Sequence, residues 1–238
     1  MKLMSFDIEI SDVFELNKYE DMENYAPFHI SVAATAIHDG EERVWYSENE
    51  DGSPALNLTQ KRAHELLEYL DEIQQRGFMV CAWNGLSFDL KWIGHQADDM
   101  ALAARIALKS YDPMFQFFNQ AGFPVGLAKV AQAMGISQEK LMDAVDAPRE
   151  WCAGNCRKVM DYCLGDCQIT NLIIHAIQKA KRVRWVTSKG SINSEPMRRI
   201  KSVEEVIQDP EPDQSWMNKP IPKSKFYEWV QEATGTKP

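Results

Sequence analysis

The sequence has no long apolar run and no ATP-binding loop. None of its windows approaches the roughly 18 consecutive apolar residues that a membrane-spanning helix needs. The opening residues MKLMSFDIEI have no apolar stretch before their first acid, unlike a secretory signal. The pattern G-x-x-x-x-G-K-[ST], which cradles ATP phosphates, is also missing. We therefore expect a soluble, cytoplasmic protein with no membrane partner and no ATP-driven activity.

Cysteine and histidine are few, and their spacing does not fit a metal site. Four of the five cysteines lie close together, at Cys152, Cys156, Cys163 and Cys167. On one unbroken helix they would span roughly 22 Å, which is too far for a single zinc ion to bridge. The five histidines form no H-E-x-x-H pattern. We expect reduced, buried structural thiols and histidines without a catalytic role.

Basic residues are scarce in most of the chain and concentrated near its end. The net charge is −9; residues 1–150 hold 25 acidic and 12 basic side chains, and residues 151–238 hold 10 and 14. A basic strip between residues 179 and 201 could hold a phosphate backbone despite the acidic total, and Trp185 within it offers a ring for base stacking. The alternative is a solvated hairpin. The predicted substrate-binding residues of this strip are Arg182, Arg184 and Lys189.

The hydrophobic patterning predicts an α/β fold. An apolar fraction of 45% can fill a substantial core in a chain of this length. Strand–helix–strand alternation indicates a sheet flanked by helices. The predicted strands cover residues 3–10, 28–38, 43–47 and 78–83, with a basic hairpin over 183–197. The predicted helices cover residues 61–75, 99–109, 113–120, 126–134, 138–145 and 155–180. A proline-rich acidic linker over 209–222 leads to a short helix with Phe226, Tyr227 and Trp229.

Three short acidic motifs follow one another in a fixed order. They are FDIEI at residues 6–10, WNGLSFD at 83–89 and YCLGD at 162–166. Together they supply four carboxylates and a tyrosine from distant segments, which is the set that a metal-dependent phosphodiester hydrolase needs at one point. Each motif alone is weak, because acid pairs, Asn-Gly turns and surface Tyr–Asp pairs are common. Their concurrence favours a nuclease.

The predicted secondary structure places the polar side chains of the first two motifs. Asp7 and Glu9 are two apart on a strand, so they share one face, and the apolar neighbours on the other face indicate a central strand. Buried carboxylates without partners need cations. Asn84 would lie in the loop that follows a strand, and Asp89 would open the next helix, where α/β sheets collect ligands.

The third motif pairs a phenol with a carboxylate. Tyr162 and Asp166 are four residues apart on the long predicted helix and therefore share a face. A tyrosine is mostly neutral at about pH 7, so we expect Tyr162 to orient an attacking water rather than to act as the base.

At these residues the sequence resembles the DEDD superfamily of 3′→5′ exonucleases, which share a ribonuclease H-like fold. A tyrosine four residues before the last aspartate is typical of the DEDDy subgroup. The resemblance implies a mixed central sheet flanked by helices, and two Mg²⁺ or Mn²⁺ ions held by Asp7, Glu9, Asp89 and Asp166. It also implies that Asn84, in the stretch NGLSFD, helps to shape the site.

The resemblance covers roughly residues 1–189, with two departures. Ile10 stands where a small hydroxyl residue often follows the glutamate. The loop over residues 11–27 carries five acids, an unusual neighbour for nucleic acid. The first puts little in doubt, whereas the second bears on the path of the substrate.

We therefore predict a metal-dependent 3′→5′ exonuclease that hydrolyses phosphodiester bonds at the 3′ end of single-stranded DNA. A 3′→5′ exoribonuclease is the close alternative, and a non-catalytic ribonuclease H-like binding or adaptor module is another. The exonuclease domain is expected over residues 1–188. A C-terminal extension over 189–238 would hold the rest of the hairpin, the linker and the short helix, and a protein partner could dock on residues 216–229.

Overall fold

A mixed four-stranded sheet forms the centre of the molecule. A computed structural model of the chain describes residues 2–15, 20–136 and 142–235. The strands of the sheet are β1 (Lys2–Ile10), β2 (Ile30–Ile37), β3 (Glu42–Trp45) and β4 (Phe78–Cys81). Their order is β3-β2-β1-β4; β2 is antiparallel to β1 and β3, and β4 is parallel to β1. The mixed α/β sheet predicted from the sequence is confirmed.

Helices pack on both faces of this sheet. They are α1 (Gln60–Gln75), α2 (Asp89–Ala97), α3 (Met100–Lys109), α4 (Pro113–Ala121), α5 (Leu127–Met134), α6 (Ala147–Cys152), α7 (Cys156–Ala180), α8 (Val203–Ile207) and α9 (Glu228–Thr234). The short helices α6 and α8 were not predicted. The helix predicted over residues 138–145 begins outside the described residues, and Ala144–Asp146 form one 3₁₀ turn. None of the helices in the described ranges is long and apolar enough to cross a membrane.

The two faces of β1 pack against different layers. Phe6, Ile8 and Ile10 belong to the main core, together with side chains of α1 and α2. The opposite face, which carries Asp7 and Glu9, is turned toward α7, whose side chains pack on alternate residues of β2. Because β1 is bonded to strands on both sides, the prediction of a central strand is confirmed.

The cysteines do not lie on one helix. Helix α6 ends at Cys152, which is exposed, and α7 begins at Cys156, which is half-buried, so the prediction of four buried thiols is wrong for these two. Cys163 and Cys167 are fully buried, and their thiols donate to the backbone carbonyl oxygens of Asp7 (3.4 Å) and Ala34 (3.3 Å). These two thiols hold α7 against the sheet.

The predicted basic hairpin is present as β5 (Arg182–Val186) and β6 (Ile192–Pro196), which pair with each other. Its inward side chains join a separate cluster with α4, α5 and α7. Trp185 is only 8% exposed and packs edge-on against Phe117 and Phe123. So little of the ring is exposed that it leaves almost no surface for a base to stack on, contrary to the expectation from the sequence.

The C-terminal elements pack onto the main core. Phe226 and Trp229 are buried among its side chains, whereas Trp216 is 60% exposed. The Trp229 indole N–H donates to the backbone carbonyl of Leu86 at 2.7 Å, in the loop of the second motif. The buried Lys223 ammonium donates to the carbonyls of Ile207 (3.2 Å) and Asp209 (2.7 Å), so the end of the chain is held by polar as well as apolar contacts.

Candidate active site

Three carboxylates from β1 and α7 converge at one point. One oxygen each of Asp7, Glu9 and Asp166 lies within 4.8 Å of the others. Among the described residues, these three form a group that could hold a metal ion. Alternation along β1 puts Asp7 and Glu9 on one face, and the packing of α7 across β1 and β2 brings Asp166 to them. The contact joins residues that are far apart in the sequence.

Asp89 joins this cluster through the backbone of β1. Strand β4 pairs with β1 only from Lys2 to Ser5, which leaves the amide of Ile8 without a strand partner on that side. The Asp89 carboxylate accepts this N–H through Oδ1 at 3.0 Å. Asp89 is the first residue of α2, as the sequence predicted, and it is buried. Its carboxylate is thereby held near enough to Asp7 and Glu9 for its charge to raise the pKa of both.

The strand itself is irregular at the site. The pairing of β1 with β2 shifts between Glu9 and Ile10, so that Ser31 is an extra residue on β2. The Ser31 hydroxyl donates to the Glu9 carbonyl at 3.0 Å. Irregularities of this kind bend a strand and redirect its side chains. This one lies on β2, opposite the last residues of β1 and beside the acidic pair.

The loop of the second motif is clamped by a residue that sequence reasoning missed. Asp112 is buried, and its carboxylate accepts the backbone N–H groups of Asn84 and Leu86, both at 3.1 Å. It also accepts those of Met114 and Phe115, as the N-cap of α4. Asp112-Pro113 is a recognisable helix start, but nothing in the sequence shows that this cap reaches a second loop.

The loop also needs its asparagine and glycine. Asn84 adopts a positive φ of 66°, which asparagine tolerates better than most residues. A Cβ on Gly85 would lie 2.2 Å from the Cβ of Ala82, so a larger residue cannot fit without moving the backbone. Asn84 Oδ1 accepts from the Ser87 hydroxyl at 2.6 Å. The side-chain oxygen of Asn84 is thus fixed by a neighbour in the same loop.

The two acids of β1, Asp7 and Glu9, have raised pKa values. Burial raises the pKa of Asp7 well above its usual value, and repulsion from Asp89, Asp166 and Glu9 raises it further. Burial, followed by repulsion from Asp166 and Asp89, also raises the pKa of Glu9. Asp7 Oδ2 is buried and has no hydrogen-bond partner among the described residues. The Cys163 thiol acts in the opposite direction on the pKa of Asp7, but burial and repulsion outweigh it.

The other acids and the tyrosine show the same effect. Burial raises the pKa of Asp89 to about 7, although the Ile8 N–H opposes the shift. Burial raises the pKa of Asp166 to about 6, and the hydrogen bond from Tyr162 opposes it. Burial, together with the charges of Asp166, Glu9 and Asp7, raises the pKa of Tyr162 above its usual value. The phenol therefore stays protonated at neutral pH.

These residues fit divalent cations. Hard cations such as Mg²⁺ and Mn²⁺ prefer carboxylate oxygens, and the cluster offers three that are close together, one of them buried without a partner. A bound cation would reverse the repulsion that raises these pKa values. Ribonuclease H-like nucleases usually use divalent metals, which agrees with the chemistry of the donors.

A cavity of about 690 Å³ opens over the cluster. Asp7, Glu9, Asp89, Tyr162 and Asp166 all line it, so the five predicted catalytic residues share one space. The rest of its wall is largely apolar. Its apolar side chains include Ile10, Val13, Phe14, Met22, Phe88 and Val145. A flat, partly apolar group such as a nucleoside could pack there while its phosphate faces the carboxylates.

The predicted substrate-binding residues fall into two groups. Asn84 lines the cavity, as Asp89 does. Arg182 and Arg184 on β5 and Lys189 in the following turn are exposed and do not line it. A different cation does: Arg149 on α6, which no motif in the sequence indicated.

Comparison with known families covers part of this site. Residues 21–178 match a family model described as the RNase_H superfamily, which includes Asp89, Tyr162 and Asp166 but begins after Asp7 and Glu9. No curated protein sequence matches the chain. A domain of this kind indicates a nuclease-type function and nucleic-acid binding. Since the match spans more than half of the 238 residues and agrees with the mixed sheet flanked by helices, the protein belongs to the RNase_H superfamily.

Proposed function

We propose that the protein is a DEDDy-type 3′→5′ exonuclease that removes nucleotides from the 3′ end of single-stranded DNA. The observation that carries the proposal is the convergence of Asp7, Glu9 and Asp166 within 4.8 Å, in a cavity that Asp89 and Tyr162 also line. The catalytic domain is assigned to residues 1–188, and residues 189–238 form its C-terminal extension.

In this proposal the carboxylates hold two divalent ions. Asp7, Glu9 and Asp166 offer oxygens from one side, and Asp89 is fixed beside them by the Ile8 N–H. Two such ions, when bound, activate a water and stabilise the leaving 3′ oxygen in an in-line displacement. The enclosed apolar wall would hold the terminal nucleoside, which favours cleavage at a chain end.

Tyr162 would position the attacking water. Its hydroxyl interacts with Asp166 and stays protonated, so it can donate or accept a hydrogen bond but cannot serve as a strong base. Asn84, fixed by Ser87 and by the Asp112 clamp, offers an amide at the rim of the same cavity. Both residues act by orientation, which alone accounts for large rate effects in enzymes.

Digestion of end-labelled oligonucleotides tests the proposal. We expect 5′-labelled single-stranded DNA to shorten stepwise from its 3′ end with Mg²⁺, to stay intact with EDTA, and to be cut faster than RNA of equal sequence. Asp166→Asn should abolish this, whereas Asp161→Asn should not. Asp161 lies on the same helix but outside the cavity, paired with Arg157, so it is a matched control.

Three outcomes would redirect the assignment. Faster digestion of the RNA would make the protein an exoribonuclease. Cleavage of circular single-stranded DNA would show an endonuclease, because a circle has no 3′ end. Binding of oligonucleotides without any metal-dependent cleavage would favour the non-catalytic adaptor.

A further inference from the structure

The wall of the cavity has an unequal charge. Six acidic side chains line it, and the described residues contribute a single cation, Arg149. The acids are Asp7, Glu9, Asp12, Asp89, Asp166 and Glu15. Bound ions would offset the charge of the cluster, but a nucleic acid brings a further negative charge with every linkage. Beyond the cluster the wall is mainly apolar, its two further acids are Asp12 and Glu15, and Arg149 is its one cation among the described residues.

The side chain of Arg149 is not engaged by the part of the chain that the structure describes. It is exposed on α6, and its guanidinium has no hydrogen-bond or ion-pair partner among the described residues. The neighbouring Glu150 is engaged elsewhere, because it accepts from the Lys158 ammonium and the Asn155 amide, both at 2.6 Å. Pro148, which also lines the cavity, and Trp151 are buried and hold α6 in place. The helix is thus anchored while its arginine remains free to meet a ligand.

We propose that Arg149 binds a phosphate of the substrate backbone next to the bond that is cut. This inference rests on the proposed nuclease function and adds to it the residue that holds the strand. A guanidinium has several N–H donors in one plane, which match two oxygens of a phosphate. It stays charged at any pH at which the enzyme is expected to work. No other described residue gives the cavity a positive counterpart for that group.

The role assigned to Arg149 differs from that of the carboxylates. Arg149 is not a catalytic residue, because it would contact a linkage that is not broken. Its loss should therefore weaken binding and leave the ion cluster intact. A structural role would instead show as reduced stability, without dependence on the charge of the substrate.

The test measures kcat and KM for Arg149→Ala, Arg149→Lys and Arg157→Ala with Mg²⁺ and 5′-labelled single-stranded DNA. Arg157 is the matched control, because it is exposed on α7, outside the cavity, and paired with Asp161. We expect Arg149→Ala to lower kcat/KM by about 10- to 100-fold, mainly through KM, as for the loss of a charge-assisted hydrogen bond. Arg149→Lys should recover part of the loss, and Arg157→Ala should match the wild type.

A neutral linkage identifies the contact. The substrate for this test is an oligonucleotide whose second linkage from the 3′ end is a methylphosphonate. The wild type and Arg149→Ala should cut it at nearly equal rates. The salt dependence of binding should also flatten by about 0.7 in the logarithmic slope for one lost contact on a single strand. If Arg149→Ala lowers kcat/KM equally on the charged and the neutral substrate, Arg149 does not bind that phosphate.

Binding measurements separate this inference from the proposed function. The Asp7→Asn variant, with and without Arg149→Ala, is titrated with a fluorescently labelled oligonucleotide by anisotropy. If the wild type cleaves DNA but Arg149→Ala has unchanged KM and unchanged salt slope, the inference is overturned and the exonuclease stands. If the wild type cleaves nothing and the Arg149-dependent part of the binding persists, the exonuclease is overturned and the phosphate contact stands. If every Arg149 variant cleaves and binds like the wild type, the proposed contact is rejected.

Discussion

The central strand β1 and the basic hairpin β5–β6 both carry charged side chains that the sequence associated with function, but the fold holds them differently. β1 is bonded on both sides, and its acids are covered by α7. The hairpin has two strands, with Arg182 and Arg184 pointing to solvent while Val183 and Trp185 are buried. Packing of α7 on β1 brings the acids of different elements to one point, whereas no packing fixes the positions of the exposed arginines on β5.

The largest effect is expected when one acid of β1 is neutralised. Asp7→Asn removes a charge from the cluster at nearly the same volume, so we expect metal-dependent cleavage to fall by at least about 10²-fold while the fold is retained. Activity and the near-ultraviolet circular dichroism spectrum measure the two effects. Cys156→Ser, a change outside the cavity, should leave the rate unaltered; a wild-type rate for Asp7→Asn would refute the metal assignment.

Tyr162→Phe separates positioning from metal binding. The ring remains and the hydroxyl is lost, so the water should be misplaced and kcat should fall by about 10²-fold. Calorimetric affinity for Mn²⁺ should barely change, because the carboxylates are intact. Equal losses of Mn²⁺ affinity and of activity would instead give Tyr162 a structural role.

The raised pKa values of the acids predict an unusual pH dependence of stability. Without metal, the folded protein keeps protons on Asp89 and Asp166 up to about pH 7 and about pH 6, whereas the unfolded chain loses them near the ordinary value of 3.8. The folded state thus binds more protons between these limits, and the free energy of unfolding decreases as pH rises through this window. Above it the full destabilisation is present.

Thermal denaturation in EDTA measures this effect. The midpoint should be lower at pH 8 than at pH 5, and Mg²⁺ should restore more stability at pH 8, where the acids are ionised. Asp7→Asn, which removes one of the repelling charges, should show a smaller decrease. A midpoint in EDTA that rises across this window would contradict the prediction.

The smallest effect is expected at the hairpin. Replacing Arg182, Arg184 and Lys189 with alanine should raise KM for long oligonucleotides severalfold and flatten the logarithmic salt slope by about 0.7 for each lost phosphate contact. Because none of the three residues lines the cavity, cleavage of a dinucleotide bound there should be unchanged. Unchanged salt dependence would show that the hairpin is a solvated surface. Of the two regions, only β1 would then carry charges with a role in function.

The sequence revealed those parts of the site that follow from local periodicity. Asp7 and Glu9 share a face because strand residues alternate, and Tyr162 and Asp166 share one because a helix turns every 3.6 residues. The mixed sheet and most helices followed from the same patterns. Trp185 was misread because an apolar ring between two arginines can face either way, and only packing against Phe117 decides which.

Other parts of the site depend on contacts between distant segments. Asp112 reads as a helix cap, and its hold on the amides of Asn84 and Leu86 arises only when α4 packs beside that loop. Arg149 belongs to no motif, and its place in the cavity depends on how α6 is set before α7. No local pattern carries this information, because it is created by tertiary packing.

The hydrogen bond from Trp229 to Leu86 has a consequence for how the enzyme is made. The two residues are 143 positions apart, so the loop of the second motif leaves the ribosome long before the indole that holds its carbonyl. Domains form progressively during synthesis, yet this loop has to wait for α9 before its last contact is made. A nascent chain would therefore display this loop before the contact that holds the Leu86 carbonyl can form.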